Sequence, residues 1–225
     1  MTHELYEKIE EYMRSCMDDS AHDEEHIYRV LNNALVIAKS EQTVDYDILI
    51  TACLLHDIGR PAQLKDPKIC HAAHGSEMAY HFLTENDFPV PFAQSVQDCI
   101  RTHRFRKNNP PQSLEAQILF DADKLDVVGA VGIARTLAYQ GTIGAPMYTR
   151  KEDGSISCGE GDTIPSFFRE YHFKLTKLYD RFYTQKGKEL ALERQKAAQN
   201  FYEAIYAECT EFDQNGRSIL QDVFA

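Results

Sequence analysis

Two histidines and two aspartates could do chemistry together in this sequence: His26, the adjacent pair His56-Asp57, and Asp123. The pair closes an apolar run, Leu49-Ile50-Thr51-Ala52-Cys53-Leu54-Leu55. An ionised carboxylate is rarely buried without a partner, because desolvating its charge is costly. A divalent metal takes both side chains at once, since neutral imidazole nitrogen and carboxylate oxygen are ordinary ligands of such ions. Two imidazoles and two carboxylates suit Mn²⁺, Fe²⁺, Mg²⁺ or Zn²⁺, and without a thiolate a purely structural zinc site is disfavoured. Each piece alone is weak. A second His-Asp pair stands at His22-Asp23. His56 by itself reads equally well as a core histidine bonded to a backbone carbonyl, with Asp57 capping the next turn.

Other residues could join the set. His22 and His26 are four apart and share a helix face, with Arg29 close to that face. Both histidines could equally be solvated in an acidic first turn. Asp121-Ala122-Asp123-Lys124-Leu125-Asp126 puts three aspartates into a segment otherwise as apolar as Ile118-Leu119-Phe120. Such a stripe is unfavourable unless compensated, and one carboxylate on a metal with a neighbour supporting it would compensate it. Arg101, Arg104, Arg106 and Lys107 form a basic cluster that fits either a phosphate clamp or a solvated helix C-terminus.

Helices must position these groups. Helical spacing predicts elements over residues 4–17, 23–40, a third capped by Asp45 and ended by Gly59 and Pro61, then 71–86, 92–103 and 114–129. The last pattern extends through Ile133 to Tyr139. Residues 142–165 differ in kind: glycines cluster there, and the segment reads as a loop or a β-hairpin turning at Glu152-Asp153-Gly154-Ser155. It is a surface insertion or a lid. Two long helices follow, over 166–183 and 187–212. The expectation is an all-α, single-domain bundle spanning 1–225.

Composition narrows the function. The chain has 225 residues and a formal net charge of −11, which disfavours DNA or RNA as a partner. A small phosphorylated substrate remains open, because a local metal can outweigh the global field. Six scattered cysteines include no C-x-x-C pair. The N-terminus lacks the pattern of a signal peptide, and the longest apolar run, Ile48 to Leu55, is too short to span a bilayer. The expectation is a cytoplasmic, reduced protein with no membrane partner.

The ordered motifs resemble the HD superfamily of metal-dependent phosphohydrolases, in which H…HD…D supplies the metal ligands. His26-Ile27-Tyr28-Arg29-Val30, Leu54-Leu55-His56-Asp57-Ile58-Gly59 and Asp121-Ala122-Asp123-Lys124-Leu125-Asp126 carry the likeness. His71-Ala72-Ala73-His74-Gly75, Thr102-His103-Arg104-Phe105 and His172-Phe173-Lys174-Leu175 are similar to the stand-alone bacterial subgroup of YedJ- and YpgQ-like proteins. The resemblance implies an HD-domain helical bundle with metal ligands His26, His56, Asp57 and Asp123. It implies cleavage of nucleotides or related phosphate esters by a metal-activated water. Asp57 could orient that water, and Lys124, His103, His71 and Arg60 could hold phosphate oxygens or protonate the leaving group. Each of these could also be a core or surface residue. Some relatives hold two metals through extra histidines, and His71 and His103 stand where these could lie. The Gly-Tyr-Pro signature of the cyclic-dinucleotide branch is missing after His103, which favours one ion per chain. A homodimer stays open, as do an iron-dependent oxygenase and a non-catalytic nucleotide sensor.

Overall fold

The computed structural model describes residues 1–17, 24–104 and 109–225; His22, Arg106 and Lys107 lie outside the described residues. The architecture is all-α, as expected. By contact the chain divides into two units, Met1–Asp126 with Phe182–Gly187, and Val127–Arg181 with Lys188–Ala225.

The first unit holds α1 (His3–Met17), α2 (Glu24–Ala38), α3 (Tyr46–Leu55), α4 (Arg60–Lys65), α5 (His71–Glu85), α6 (Val90–Thr102) and α7 (Leu114–Leu125). Its centre is α3, which packs against α1, α2, α6 and α7. The Asp45 side chain starts it by accepting from the backbone N–H groups of Asp47 at 3.0 Å and Ile48 at 3.1 Å. Leu49, Ala52, Cys53, Leu54 and Leu55 are all buried, as a helix apolar on every side requires. Each fully buried leucine contributes about 1.5–3 kcal/mol. This core holds the chain rigid up to the residue where the polar pair begins.

Gly59 and Gly75 let the turn after α3 lie against α5. A Cβ on Gly59 would stand 2.3 Å from the His71 carbonyl oxygen and 2.7 Å from the Gly75 nitrogen. Only a bare backbone fits there, and this contact brings the start of α5 beside Asp57. The short helix α4, which includes Pro61 in its first turn, lies between the third expected helix and the one expected over 71–86, where helical spacing predicted no element; proline suits the first turn, where its missing N–H costs nothing.

The expected 166–183 helix is realised only over Phe167–Phe173 and a 3₁₀ turn, Leu175–Lys177, and Asp121 holds the chain further on. Its carboxylate is buried and accepts the backbone N–H of Tyr183 at 2.9 Å and that of Thr184 at 2.7 Å. It also accepts the Thr184 hydroxyl at 2.6 Å, and that hydroxyl in turn caps Gly187 N–H at 3.0 Å. These bonds pin the chain in a non-helical path just before α10 (Gln185–Phe224) begins.

The second unit contains α8 (Gly129–Thr142), α9 (Phe167–Phe173), a 3₁₀ turn (Leu175–Lys177) and most of α10. The expected helix from 114 onward breaks before α8. Gly129 has φ +67°, a conformation that suits glycine, and its Cα faces Arg194 too closely for a side chain. An aromatic core joins α9 to α10, with Tyr171 stacked on Tyr202 at 4.0 Å and Phe168 edge-on to Tyr202 at 5.5 Å. The 142–165 segment forms one antiparallel bridge, Arg150 to Ile156, rather than full strands. Ser157 N–H donates to the Thr149 carbonyl at 2.9 Å, and Asp162 ties the segment by accepting from Thr149 Oγ1 and Ser157 Oγ. All six cysteines are free thiols. Among the described residues no helix is long and apolar enough to cross a membrane.

Candidate metal centre

Four imidazoles and two carboxylates converge within the first unit. His26 comes from α2, His56 and Asp57 from the end of α3, His71 from the first residue of α5, His103 from the end of α6, and Asp123 from α7. His56, Asp57, His71 and His103 are fully buried; His26 is nearly so, and Asp123 is 9% exposed.

Local structure fixes how each ring turns. Helix C-termini leave carbonyls without intrahelical partners. His56 caps α3 and His103 caps α6, and each places its Nδ1 on a carbonyl of its own last turn: Cys53 O at 2.8 Å and Ile100 O at 2.6 Å. His71 Nδ1 faces Gln63 Oε1 at 2.6 Å, and His26 Nδ1 faces Asp126 Oδ2 at 2.7 Å. With each Nδ1 on an acceptor, each Nε2 points inward, and the neutral ring that donates Nδ1–H presents its lone pair there.

Those lone pairs meet in two pairs. His26 Nε2 lies 3.3 Å from His56 Nε2, and His71 Nε2 lies 3.3 Å from His103 Nε2. Asp57 stands between them. Its Oδ2 is 3.6 Å from His26 Nε2 and 3.8 Å from His56 Nε2. Its Oδ1 is 3.4 Å from His71 Nε2 and 3.6 Å from His103 Nε2. Asp123 Oδ1 completes the first group, 3.5 Å from His26 Nε2. The donors thus form two sets, His26, His56 and Asp123, and Asp57, His71 and His103, each with ligand atoms within 4.8 Å of one another.

This arrangement fits a cation. Two lone pairs facing at hydrogen-bond distance repel unless a proton or a metal lies between them. Asp57 Oδ2 is buried with no hydrogen-bond partner, although a buried polar atom nearly always has one. The donors are nitrogen and oxygen only, the set that suits Mn²⁺, Fe²⁺ or Zn²⁺. One ion per chain was expected; the side chains offer two positions that share Asp57.

Electrostatics agree with the geometry. Burial alone would raise the Asp57 carboxyl, but the charge of His56, the neighbouring His103 and His26 and the Arg60 guanidinium hold it well below the usual carboxylate range. Asp123 is likewise held low against burial, mainly by Lys124 and His26. Burial lowers His56 to about 4, with Asp57 only partly opposing it. For His26 burial also pushes down, but Asp126, Asp57 and Asp123 outweigh it and raise it to about 9. A histidine this basic in a buried position reports strong negative potential.

Cations surround the cluster. Arg60 Nε donates to Asp57 Oδ1 at 3.0 Å, and Lys124 Nζ lies 3.1 Å from Asp123 Oδ2 and 4.8 Å above the Phe120 ring. Arg104 Nη1 is 3.5 Å from His71 Nδ1. The structure therefore brings together His26, His56, Asp57, Asp123, Lys124, His103, His71 and Arg60. His74 is exposed on α5, and in the second unit His172 bonds the Tyr202 hydroxyl at 3.0 Å. Asp126 and Gln63 are the residues whose part sequence reasoning did not assign. Asp126 lies three residues past Asp123 on the same helix face, a spacing that points it behind His26; Gln63 offered no signal, because α4 itself was not foreseen.

The HD domain family model matches residues 24–128, which contain every donor described above. The uncharacterized protein YpgQ of Bacillus subtilis strain 168 is 31% identical over 194 residues, covering 84% of this chain and 85% of its own length. The structure of a predicted HD superfamily hydrolase from an uncultured Thermotogales bacterium aligns with a TM-score of 0.62 at 31% identity, over 90% of this chain and 91% of that one. The structure of Bacillus subtilis YpgQ in complex with ADP aligns with a TM-score of 0.69 at 27% identity, over 90% and 97%. With the paired histidines, the HD turn and the aspartate of α7 in their order, the chain belongs to the HD domain family and has the fold of the HD superfamily hydrolases.

Proposed function

We propose that this protein is a metal-dependent phosphohydrolase that cleaves nucleotides or related phosphate esters. The observation that carries the reading is the pair of inward Nε2–Nε2 contacts at 3.3 Å around the unbonded Asp57 Oδ2. His26, His56, Asp57 and Asp123 would hold one ion, and Asp57, His71 and His103 a second. A divalent ion there supplies Lewis-acid chemistry, lowering the pKa of a water and polarising a phosphoryl oxygen.

The chain's own residues prepare the rest. Asp57 stays ionised and uses both oxygens, so it fixes the two halves of the centre at one spacing. Arg60, 27% exposed at its side chain, donates Nε–H to Asp57 and an Nη1–H to Gln63 Oε1 at 3.5 Å, and keeps the remaining N–H groups for phosphate oxygens. Lys124 is tied to Asp123 and adds a second positive charge. Both stabilise negative charge as it builds on a transferring phosphoryl group. His71 and His103 point their Nε2 atoms at Asp57, so we assign them to ion binding rather than to protonating a leaving group. A nucleotide as substrate is supported by ADP in the YpgQ structure and by this local basic group in a chain of net charge −11.

The test is phosphate and pyrophosphate release from a panel of nucleotides and phosphate esters with added Mn²⁺. Release that stops on chelation is the expected result, and no release by an ion-loaded protein would overturn the reading. Two positions sharing one carboxylate would also suit paired iron in an oxygenase. Turnover that needs O₂ and Fe²⁺ would mark that alternative, whereas a nucleotide sensor would bind without turnover.

A further inference from the structure

We propose that the two positions load in a fixed order: the His26, His56 and Asp123 position takes its ion first, and the His71 and His103 position fills only together with a phosphate group. This rests on the two-position phosphohydrolase reading above.

The two positions differ in charge. The first has Asp123, whose Oδ2 pairs with Lys124 at 3.1 Å while Oδ1 faces His26, and it faces Asp57 Oδ2, which carries no hydrogen bond. Its His26 is backed by a carboxylate, Asp126 Oδ2 at 2.7 Å. Asp126 is in turn fixed by Arg29, with Nε 2.7 Å from Oδ1 and Nη2 3.2 Å from Oδ2. A carboxylate behind an imidazole sets its tautomer and strengthens its donor nitrogen. Asp126 is thus a positioning residue that acts through His26.

The second position is poorer in carboxylate. Its one carboxylate oxygen, Asp57 Oδ1, already accepts from Arg60 at 3.0 Å. Its imidazoles are backed by neutral groups, the Gln63 amide oxygen at 2.6 Å and the Ile100 carbonyl at 2.6 Å. A second guanidinium, Arg104, stands 3.5 Å from His71. A divalent cation entering between two guanidiniums with half a carboxylate meets net repulsion. A phosphate reverses the balance, because its oxygens pair with the guanidiniums and also ligate the ion. Binding is then reciprocal: phosphate raises affinity for the second ion, and the second ion raises affinity for phosphate by the same factor.

The experiment is equilibrium dialysis of the ion-free full chain against Mn²⁺, with or without inorganic phosphate on both sides, counting ions per chain. The expected count is one without phosphate and two with it, with the second ion tightened at least about 10-fold. His71→Ala keeps the first ion and loses the phosphate-dependent one. Asp126→Asn weakens the first ion by about 10–100-fold. Two ions of similar affinity without phosphate would overturn the proposal, and so would a count of one that phosphate does not change. The wild-type count decides this even if a variant fails to fold. Turnover is scored separately: ester cleavage with two equal ions removes ordered loading alone, whereas ordered loading without cleavage of any ester removes the phosphohydrolase reading alone.

Discussion

Gly59→Ala should damage this centre without touching any of its ligands. The backbone at Gly59 has φ −83° and ψ −2°, which alanine adopts freely, so the cost comes from contact alone. The new Cβ would sit 2.3 Å from the His71 carbonyl oxygen, where ordinary contact begins at 3.4 Å. Both neighbours are backbone, so the HD turn and α5 must part by about 1 Å, the kind of misplacement that can cost on the order of 100-fold in rate. Overpacking of this kind costs about 1–3 kcal/mol, and each of those lowers Tm by about 2–4 °C in a chain of this size. Gly75→Ala is the internal control. Its Cβ would meet Gly59 N at 3.0 Å and Ile58 Cγ1 at 3.6 Å, a far milder contact, offset by about 1 kcal/mol of gained helix propensity. Thermal unfolding, ion counting and turnover on both variants make the assay. If Gly59→Ala kept wild-type Tm and rate, the glycine contact would not be what sets His71 against Asp57.

Four further outcomes follow from the geometry and the electrostatics. His26 is raised to about 9 in the ion-free state, so it is protonated at neutral pH, whereas His56, lowered to about 4, is already neutral. Ion binding at pH 7.5 should release about one proton, and affinity should climb with pH until it flattens near 9, as calorimetry in buffers of different ionisation heat would report. In the ion-free protein His26 contributes stability below its unfolded pKa of about 6.5. That contribution fades as pH rises toward 9, visible as a falling urea midpoint over that range relative to His26→Gln. Asp121→Ala removes the acceptor for the N–H groups of Tyr183 and Thr184 and for the Thr184 hydroxyl. It should cost about 3–5 kcal/mol in urea unfolding, while the fraction that folds still binds its first ion. Removing bound ion with a chelator should lower stability by about 2.7 kcal/mol relative to a sample holding ion at one hundred times Kd.

The candidate ligands were legible because few residue types suit a divalent ion. His26, His56, Asp57 and Asp123 stood out by type and helical spacing, and the family resemblance made them a set. The three aspartates of α7 were recognisably anomalous in an apolar helix, but their separate parts were not readable. Asp123 faces the histidines, Asp126 backs His26, and Asp121 holds a segment more than sixty residues later in the chain. Periodicity says which side of a helix a residue occupies; it does not say which distant segment waits there. The same limit hid the second position. His71 and His103 were visible as histidines near helix ends, yet their meeting depends on Gly59 and Gly75 lying backbone to backbone. The long helix expected over 166–183 is cut short at Phe173, well before the Asp121 contacts at Tyr183 and Thr184, although its aromatic spacing runs on to Phe182.

The most direct test of the hydrolytic account is turnover of a nucleoside triphosphate in ¹⁸O-labelled water with Mn²⁺, followed by ³¹P NMR of the products, wild type beside Asp57→Asn. The account predicts label in one phosphorus product of the wild type and no product from the variant, because Asp57 holds both halves of the centre. Products from the wild type that carry no label on any phosphorus, or labelled product formed equally by Asp57→Asn, would contradict it.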